Sequence, residues 1–377
     1  MIRRVLSAAL IAVATARAQT QQVTPIDAAA QLRVAAEKAP GNASAWYALG
    51  QAYNTIKDNA LASFSAPSDA PWRALISADG LLENGQYTDA FGLYRAALDA
   101  LPSMVTIHES IARIYERTGH AQWAAIERAK VRLEEDACTT RRAMCEFRAA
   151  RYRSSLEAAI TGVDGESRYW TARAANELAL AAFRHLDTIA DSPQRRSVRA
   201  ATAQARERYV DAVSELQAAV RLAPQQPEFQ FELASAYYLA RDYEATLAAL
   251  TPLLARYPDD ARLLTLEAQA LVQLQRAGEA VPILKHLAGR RPNDAALKLA
   301  LGRAYLQSGD YAAAIPLLEP RVDSDTDGSL HMQLARAYLG IGQRDKAAPL
   351  MTRAEELRKA DDQRRAELAQ RTITPPK

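Results

Sequence analysis

A unit of about 34 residues recurs through most of this 377-residue chain. In the copy that spans Pro227–Asp260, an aromatic residue stands at Tyr237, and Leu271, Tyr305 and Tyr338 follow at the same place in later copies. A unit of this length that repeats in tandem buries its apolar residues on its neighbours in the chain. The recurrence therefore predicts a stack of similar units, which can extend beyond the roughly 100–200 residues of a usual domain.

Four consecutive units are clear in the C-terminal half, and each is predicted to contain two helices. The units are Pro227–Asp260, Ala261–Asp294, Ala295–Thr326 and Gly328–Asp361. The first helices share a small residue where a neighbouring helix packs closely, at Ala234, Ala268, Gly302 and Ala335. The second helices carry Ala280, Ala314 and Ala347 at the matching place, and Thr246 replaces the alanine in the first of these units.

Three prolines, Pro282, Pro316 and Pro349, stand at one repeated place early in the predicted second helices. A proline in the first turn of a helix loses only a hydrogen bond whose donor has no partner within the helix. We therefore expect these prolines to lie in or near the first turn. Their shared register supports the division into units.

The N-terminal half contains weaker copies of the unit, of which the clearest opens with Trp46, Leu49-Gly50 and Tyr53. Together with the C-terminal units, these residues resemble the tetratricopeptide repeat (TPR), whose pattern is W-x2-L-G-x2-Y…A-x3-F…P over 34 residues. The resemblance implies an all-α fold, an α-solenoid of stacked antiparallel helix pairs. It also implies a concave face that binds other proteins.

The chain is expected to have five parts. Residues 1–18 form a signal peptide, 19–138 degenerate repeats, 139–192 an irregular helical insertion, 193–361 the C-terminal repeat array, and 362–377 a charged helix end with a disordered tail.

A longer similarity relates the stretch from Trp46 to Pro102 to the stretch from Tyr169 to Pro224. Both begin with an aromatic cluster, continue with an Ala- and Leu-rich segment of helical period, and finish with a second helix like that of the repeat. We interpret them as two related modules, each with one atypical helix.

The N-terminus has the pattern of a secretory signal. Arg3 and Arg4 precede the apolar run Val5–Ala14, and Ala16-Arg17-Ala18 matches the A-x-A cleavage motif. Ten residues are too few for a membrane anchor, which needs about 20. We predict cleavage after Ala18, a periplasmic or secreted protein, and no membrane span in the mature chain. The alternative is an uncleaved N-terminal helix.

The charge balance gives no support for a nucleic-acid partner. The chain has 47 Lys and Arg against 44 Asp and Glu, and cleavage after Ala18 removes Arg3, Arg4 and Arg17, which leaves 44 of each sign. A local excess of arginine has two interpretations, a solvated helix face or a site for an anionic partner. It consists of Arg141, Arg142, Arg148, Arg151 and Arg153.

Cys138 and Cys145 are the two cysteines of the chain. Seven residues along a continuous helix separate two Cα atoms by about 10.5 Å, whereas a disulfide tolerates about 7 Å at most. We favour a disulfide, with a turn of the chain near Thr139-Thr140, because exported proteins meet oxidising conditions. The alternative is two free thiols. A zinc site is not expected, since no other Cys and no His lies close by.

No catalytic constellation is found, and no cofactor or metal is predicted. His108-Glu109 begins a string like H-E-x-x-H, but Ala112 stands where the second zinc-binding His is needed. The remaining enzymatic alternative is a site in residues 139–192 around Cys145 and Glu146, for which no base is visible.

The TPR resemblance also implies which residues face the concave groove. They are Phe231, Tyr238, Leu239, Gln269, Val272, Gln273, Leu299, Arg303, Leu306, Gln307, Met332, Arg336 and Leu339. An apolar floor with Arg303 and Arg336 suits an extended or helical peptide that carries an acidic residue. Alternatively, the apolar residues pack against the C-terminal helix of the chain. The carboxylate clamp of chaperone-binding TPRs is not matched, because Thr265 and Gln269 stand at two of its places.

The sequence thus favours a non-enzymatic scaffold or adaptor of the cell envelope that binds a partner peptide or protein. It does not reveal which partner this is. The second hypothesis is a structural solenoid that associates with copies of itself.

Overall fold

The computed structural model describes residues 24–131, 137–369 and 372–376. The predicted signal peptide and its cleavage site lie outside the described residues and stay predictions. The described residues form helices joined by turns, and no strand occurs among them. By its internal contacts the chain divides into two compact units, one up to Ala190 and the other from Asp191 to Thr374.

The first unit has ten helices among its described residues, and six of them form consecutive pairs. The pairs are α1 (Pro25–Lys38) with α2 (Ala43–Ala62), α3 (Ala70–Glu83) with α4 (Tyr87–Ala100), and α5 (Val105–Arg117) with α6 (Ala121–Ala129). Three short helices follow, α7 (Ala137–Thr140), α8 (Arg142–Arg148) and α9 (Tyr152–Ala159), and then the long helix α10 (Gly165–Leu186).

The second unit is a regular series of five helix pairs. The pairs are α11 (Pro193–Ala205) with α12 (Tyr209–Leu222), α13 (Pro227–Leu239) with α14 (Tyr243–Arg256), α15 (Ala261–Gln273) with α16 (Ala277–Arg290), α17 (Ala295–Ser308) with α18 (Tyr311–Leu318), and α19 (Ser329–Gly340) with α20 (Arg344–Ala369). A 3-10 helix, Glu319–Ser324, follows α18. The predicted all-α fold of stacked helix pairs is confirmed.

The long helices α2 and α10, one from each of the two similar stretches, pack against each other in the first unit. Gly50 makes the close approach possible, because a Cβ atom there would lie 2.2 Å from Cε1 of Phe183. Beside this contact, the rings of Trp46 and His185 have centroids 4.0 Å apart. Leu49, Tyr53 and Ile56 of α2 join Ala175 and Ala179 of α10 in one buried cluster.

The small residues predicted at the helix crossings are all buried in the second unit. Ala234, Ala268 and Ala335 are fully buried, as are Ala280, Ala314 and Ala347. A Cβ atom on Gly302 would come within 2.9 Å of Cδ2 of Leu318. Thr246 is also fully buried, and its hydroxyl donates to the carbonyl of Asp242 at 2.8 Å, which satisfies the extra polar group.

The turn between the two helices of a pair repeats one backbone conformation. A residue with positive φ stands at Glu207, Arg241, Gln275, Gly309 and Gly342, that is, at or near every 34th residue. Glycine adopts this left-handed region without a steric penalty, whereas residues with a Cβ atom are strained there. The second unit therefore has three strained turns followed by two relaxed ones.

The prolines of the second helices lie deeper than the first turn, which corrects the sequence prediction. Pro282, Pro316 and Pro349 are each the sixth residue of their helices, α16, α18 and α20. A proline at this depth removes one internal hydrogen bond of the helix. All three prolines are exposed, so water can reach the carbonyl oxygen left without a partner.

No helix in the described part of the chain combines the length and the apolar character that a membrane span requires.

Candidate functional site

The thirteen predicted groove residues all lie on the first helices of four consecutive pairs, α13, α15, α17 and α19. Seven of them are exposed, and we call these seven the first-helix face: Leu239, Gln269, Gln273, Arg303, Met332, Arg336 and Leu339. Five others are half-buried, namely Phe231, Tyr238, Val272, Leu299 and Gln307. Leu306 is only 5% exposed and packs in the core with Leu334 and Tyr338, so its prediction as a groove residue is corrected.

Side chains on this side of the second unit link neighbouring first helices through hydrogen bonds. Tyr238 on α13 bonds with Gln273 on α15. The amide of Gln307 on α17 donates to the carbonyl of Val272 at 3.1 Å and to Oε1 of Gln275 at 2.7 Å. Because each bond joins one repeat to the next, the amides help to fix the spacing of the first helices.

Partial burial raises the pKa of the Tyr238 hydroxyl, and the neighbouring Tyr243 adds to the rise while the hydrogen bond with Gln273 opposes it. The hydroxyl therefore stays protonated throughout the neutral range and acts as a hydrogen-bonding group.

The two arginines of the first-helix face differ in their partners. Nε of Arg303 donates to Oε1 of Gln333 on α19 at 3.1 Å, which holds the guanidinium at the surface. Arg336 makes no hydrogen bond or ion pair with other described residues. Both guanidinium groups therefore have donors available for a carboxylate from outside the chain.

A third arginine near this face was missed in the sequence. Arg262 is the second residue of α15 and lies over the ring of Phe231 on α13, with its guanidinium carbon 5.4 Å from the ring centroid. The Asp260 carboxylate binds its Nη2 at 3.0 Å. The repeat period does not mark it, because the arginine does not recur and Ala296 stands at this place in the next repeat.

Three large apolar side chains of the first-helix face remain in contact with solvent. Leu239 is 42% exposed, Met332 47% and Leu339 46%. The C-terminal helix α20 packs instead against the buried side of α19, where Leu334, Ala335 and Tyr338 meet Ala347. The chain's own C-terminal helix therefore does not cover Met332 and Leu339, contrary to the alternative interpretation of these residues.

Four of the five clustered arginines form ion pairs within the chain. Arg141 binds Glu166 at 3.0 Å, Arg148 binds Glu109, Arg151 binds Glu146 at 2.6 Å, and Arg153 lies 3.8 Å from Glu37. These carboxylates compensate most of the positive charge, which favours the interpretation of the cluster as a solvated surface.

Cys138 and Cys145 form a disulfide with Cα atoms 5.6 Å apart. The chain turns at Arg141, between α7 and α8, and this break brings the two cysteines within reach. Cys145 therefore has no thiol to act as a nucleophile, which removes the residue on which the enzymatic alternative was centred.

The sequence did not reveal the buried carboxylates of the first unit either, because no repeat pattern marks them. Asp79 on α3 accepts hydrogen bonds from the hydroxyls of Tyr94 at 2.6 Å and Tyr169 at 2.8 Å, and it binds Arg173. We call these four residues the Asp79 cluster. Burial and the Asp79 carboxylate raise the pKa of Tyr94 far above its usual value, so this hydroxyl remains a donor.

Comparison with known proteins identifies the repeats. One sequence model of the tetratricopeptide repeat matches residues 77–132, 198–261 and 240–295, and a second matches residues 271–332. The chain carries tetratricopeptide repeats. No curated protein sequence matches it.

Several solved structures align with part of this repeat protein. MamA of Desulfovibrio magneticus RS-1 aligns over 46% of this chain and 98% of its own, with 20% identity and a TM-score of 0.41. MamA of strain MSR-1 aligns over 45% and 98%, with 23% identity and a TM-score of 0.40. A thermophilic TPR protein of Thermus thermophilus aligns over 47% and 97%, with 24% identity and a TM-score of 0.35. The assignment of the repeats rests on the sequence models and the helix pairs.

Proposed function

We propose that this chain is an exported protein-interaction scaffold that binds an acidic segment of a partner protein on the first-helix face of its second unit. The observation that carries the proposal is the combination of solvent-exposed apolar side chains with Arg303 and Arg336 on one series of first helices. Apolar side chains supply burial for a partner segment, and the guanidinium groups supply bidentate hydrogen bonds to its carboxylates.

Leu239, Met332 and Leu339 are the apolar part of this surface. Each would lose water on contact with a partner, which favours association by about 25 cal/mol for every Å² of apolar area removed from solvent. The two arginines lie at equivalent places in adjacent repeats, so an extended segment could meet both with carboxylates at a regular spacing.

Two features support export. The N-terminal sequence has the charged start, apolar run and A-x-A motif of a cleavable signal. The Cys138–Cys145 disulfide is typical of proteins that fold in an oxidising compartment. In a bacterium, that compartment would be the periplasm.

Site-specific photo-crosslinking in the native host tests the proposal. A photoreactive amino acid is placed at Met332 or at Leu339, and, as the matched control, at Lys285, which is exposed on the second helix α16. We expect one partner protein to be captured from the first two positions and not from Lys285. Capture of the partner from Met332 and Leu339 should be lost when Arg303 and Arg336 are both replaced by Glu.

Equal capture from all three positions would contradict the assignment of the first-helix face. Capture of only a second copy of the chain from Met332 and Leu339 would replace the scaffold proposal by self-association.

A further inference from the structure

A cavity of about 550 Å³ lies within the first unit, apart from the first-helix face. Helices α3 and α5 form one side, and α7 to α10 supply the other, including the disulfide. This volume lies in the range of small-molecule sites, about 300–1,000 Å³. In a regular repeat array the first helices would face an open groove, but here the short helices α7 to α9 enclose part of it.

The charged side chains that line the cavity are balanced, with three carboxylates and three guanidinium groups. They are Asp79, Glu83, Glu109, Arg113, Arg148 and Arg173. A site of zero formal charge gives no net attraction to an anion or to a cation. It favours a ligand that is neutral overall and carries both charges.

Four of these six charged groups form two ion pairs. Arg173 binds Asp79 within the Asp79 cluster. Nε of Arg148 donates to Oε1 of Glu109 at 2.9 Å. These pairs satisfy the charges on the walls of the cavity and leave them with little capacity for a new partner.

Glu83 and Arg113 are the two groups left over. Neither forms a hydrogen bond or an ion pair with other residues in the part of the chain that the structure describes. They lie on different first helices, Glu83 at the end of α3 and Arg113 in α5. Both residues are exposed, so the cavity presents one accessible carboxylate and one accessible guanidinium.

The opposite wall of the cavity is aromatic. The ring centroid of Phe147 lies 5.2 Å from that of Trp170 and 5.1 Å from that of Tyr152. The indole Nε1 of Trp170 donates to Oε1 of Glu166 at 3.3 Å, and Trp170 is only 1% exposed. The half-buried rings of Phe147 and Tyr152 therefore supply the apolar surface of this wall. An apolar side chain of a ligand would fit against these rings.

We propose that this cavity binds a small zwitterion of the amino-acid or dipeptide class, with its ammonium group on Glu83, its carboxylate on Arg113 and an apolar side chain against Phe147 and Tyr152. Each charged end gains a charge-assisted hydrogen bond that the chain itself does not supply. The repeat protein would thus carry a small-molecule site in its first unit, separate from the surface proposed to bind a partner protein.

Titration with the dipeptide Ala-Phe tests this site. Trp170 lines the cavity, so binding is followed by tryptophan fluorescence and by calorimetry on the signal-cleaved chain. We expect Ala-Phe to bind, and its N-acetylated and C-amidated forms to bind about 10- to 100-fold more weakly, because each lacks one charged end.

Two substitutions then assign the two ends. In Glu83→Gln, the free and N-acetylated dipeptides should bind equally, and in Arg113→Gln the free and amidated dipeptides should do so. Arg117→Gln is the matched control, since Arg117 is exposed on the same helix, α5, and does not line the cavity.

The proposal is overturned if Ala-Phe gives no signal at millimolar concentration. It is also overturned if blocking either end of the dipeptide leaves the affinity of the unmodified chain unchanged. The second result needs no variant, so it holds even where a substitution disturbs folding. Neither result bears on the first-helix face, which lies in the other unit.

Discussion

The two units of the molecule are stabilised in different ways. In the second unit the helix pairs pack through small and apolar residues that recur with the repeat, such as Ala268, Gly302 and Leu334. In the first unit, buried carboxylates also hold helices together, and Asp79 and Glu127 each bind residues from other helices or turns. Repetition therefore determines most of the core of the second unit, where Asp325 and His331 form a buried polar pair. Individual polar contacts contribute more to the core of the first unit.

This difference explains what the sequence could predict. The period of about 34 residues identified the helix pairs, their small packing residues and the side of α13 to α19 that bears the first-helix face. It could not show that Leu306 turns into the core, because the spacing marks a helix face and not the depth of one side chain on it.

The sequence also could not reveal contacts between residues that are far apart in the chain. Asp79 and Tyr169 are 90 residues apart, and no local pattern marks them as partners. The same holds for Glu83 and Arg113, which are exposed in the structure and which no local pattern places beside one cavity. The Cys138–Cys145 pair was accessible because the two cysteines are close in the chain and geometry requires a turn between them.

The largest expected effect is on the Asp79 cluster. Asp79→Ala leaves Arg173 without its carboxylate and should lower the free energy of unfolding of the first unit by about 3–5 kcal/mol. All four tryptophans of the chain, Trp46, Trp72, Trp123 and Trp170, lie in this unit, so urea unfolding followed by tryptophan fluorescence measures it.

Asp99→Ala is the control for this comparison. Asp99 is exposed on α4, and its loss should change the free energy of unfolding by less than about 0.5 kcal/mol. If both variants unfold at the same urea concentration as the parent chain, then the buried carboxylate does not hold the first unit together.

A smaller loss is expected from overpacking in the second unit. Gly302→Ala places a methyl group within 3.0 Å of Leu317 and Leu318 and should destabilise the unit by about 1–3 kcal/mol. Hydrogen exchange measured by mass spectrometry should show faster exchange in α17 and α18. Gly278→Ala in α16 meets nothing within 4 Å and should be neutral or stabilising, so equal effects of the two changes would contradict this packing.

The carboxylate of Glu127 should make the first unit sensitive to acid. Burial raises its pKa, but hydrogen bonds from Lys130 at 2.8 Å and His108 at 2.5 Å outweigh burial, so that the pKa lies below the usual 4.5. The charged form is favoured in the folded state. Its contribution is therefore fully present above pH 4.5 and is lost as the pH falls through the lower pKa of the folded state.

The substitution Glu127→Gln isolates this contribution. It should cost about 1–3 kcal/mol at neutral pH, because two charge-assisted hydrogen bonds are weakened. The difference from the parent chain, measured by urea unfolding and tryptophan fluorescence, should shrink as the pH is lowered below about 4.5. A difference that stays constant with pH would show that the charge of Glu127 does not matter.

The smallest effect concerns the repeated turn. Arg241 and Gly309 hold the same position in two repeats of the second unit, with φ of 62° and 85°. The Arg241 side chain is exposed, so Arg241→Gly should relieve strain and stabilise the second unit by about 0.5–1 kcal/mol, and Gly309→Ala should destabilise it by about 1 kcal/mol. Thermal unfolding followed by circular dichroism compares them, and effects of the same sign would contradict the equivalence of the two turns.

The affinity of the captured partner protein tests the central claim most directly. Binding of that partner to the purified chain is compared with binding to Arg303→Ala/Arg336→Ala and to the control Lys285→Ala/Arg358→Ala, whose residues are exposed on the second helices α16 and α20. We predict a loss of at least about tenfold for the first pair, from two lost charge-assisted hydrogen bonds, and no loss for the second. Equal affinity for all three proteins would contradict binding on the first-helix face.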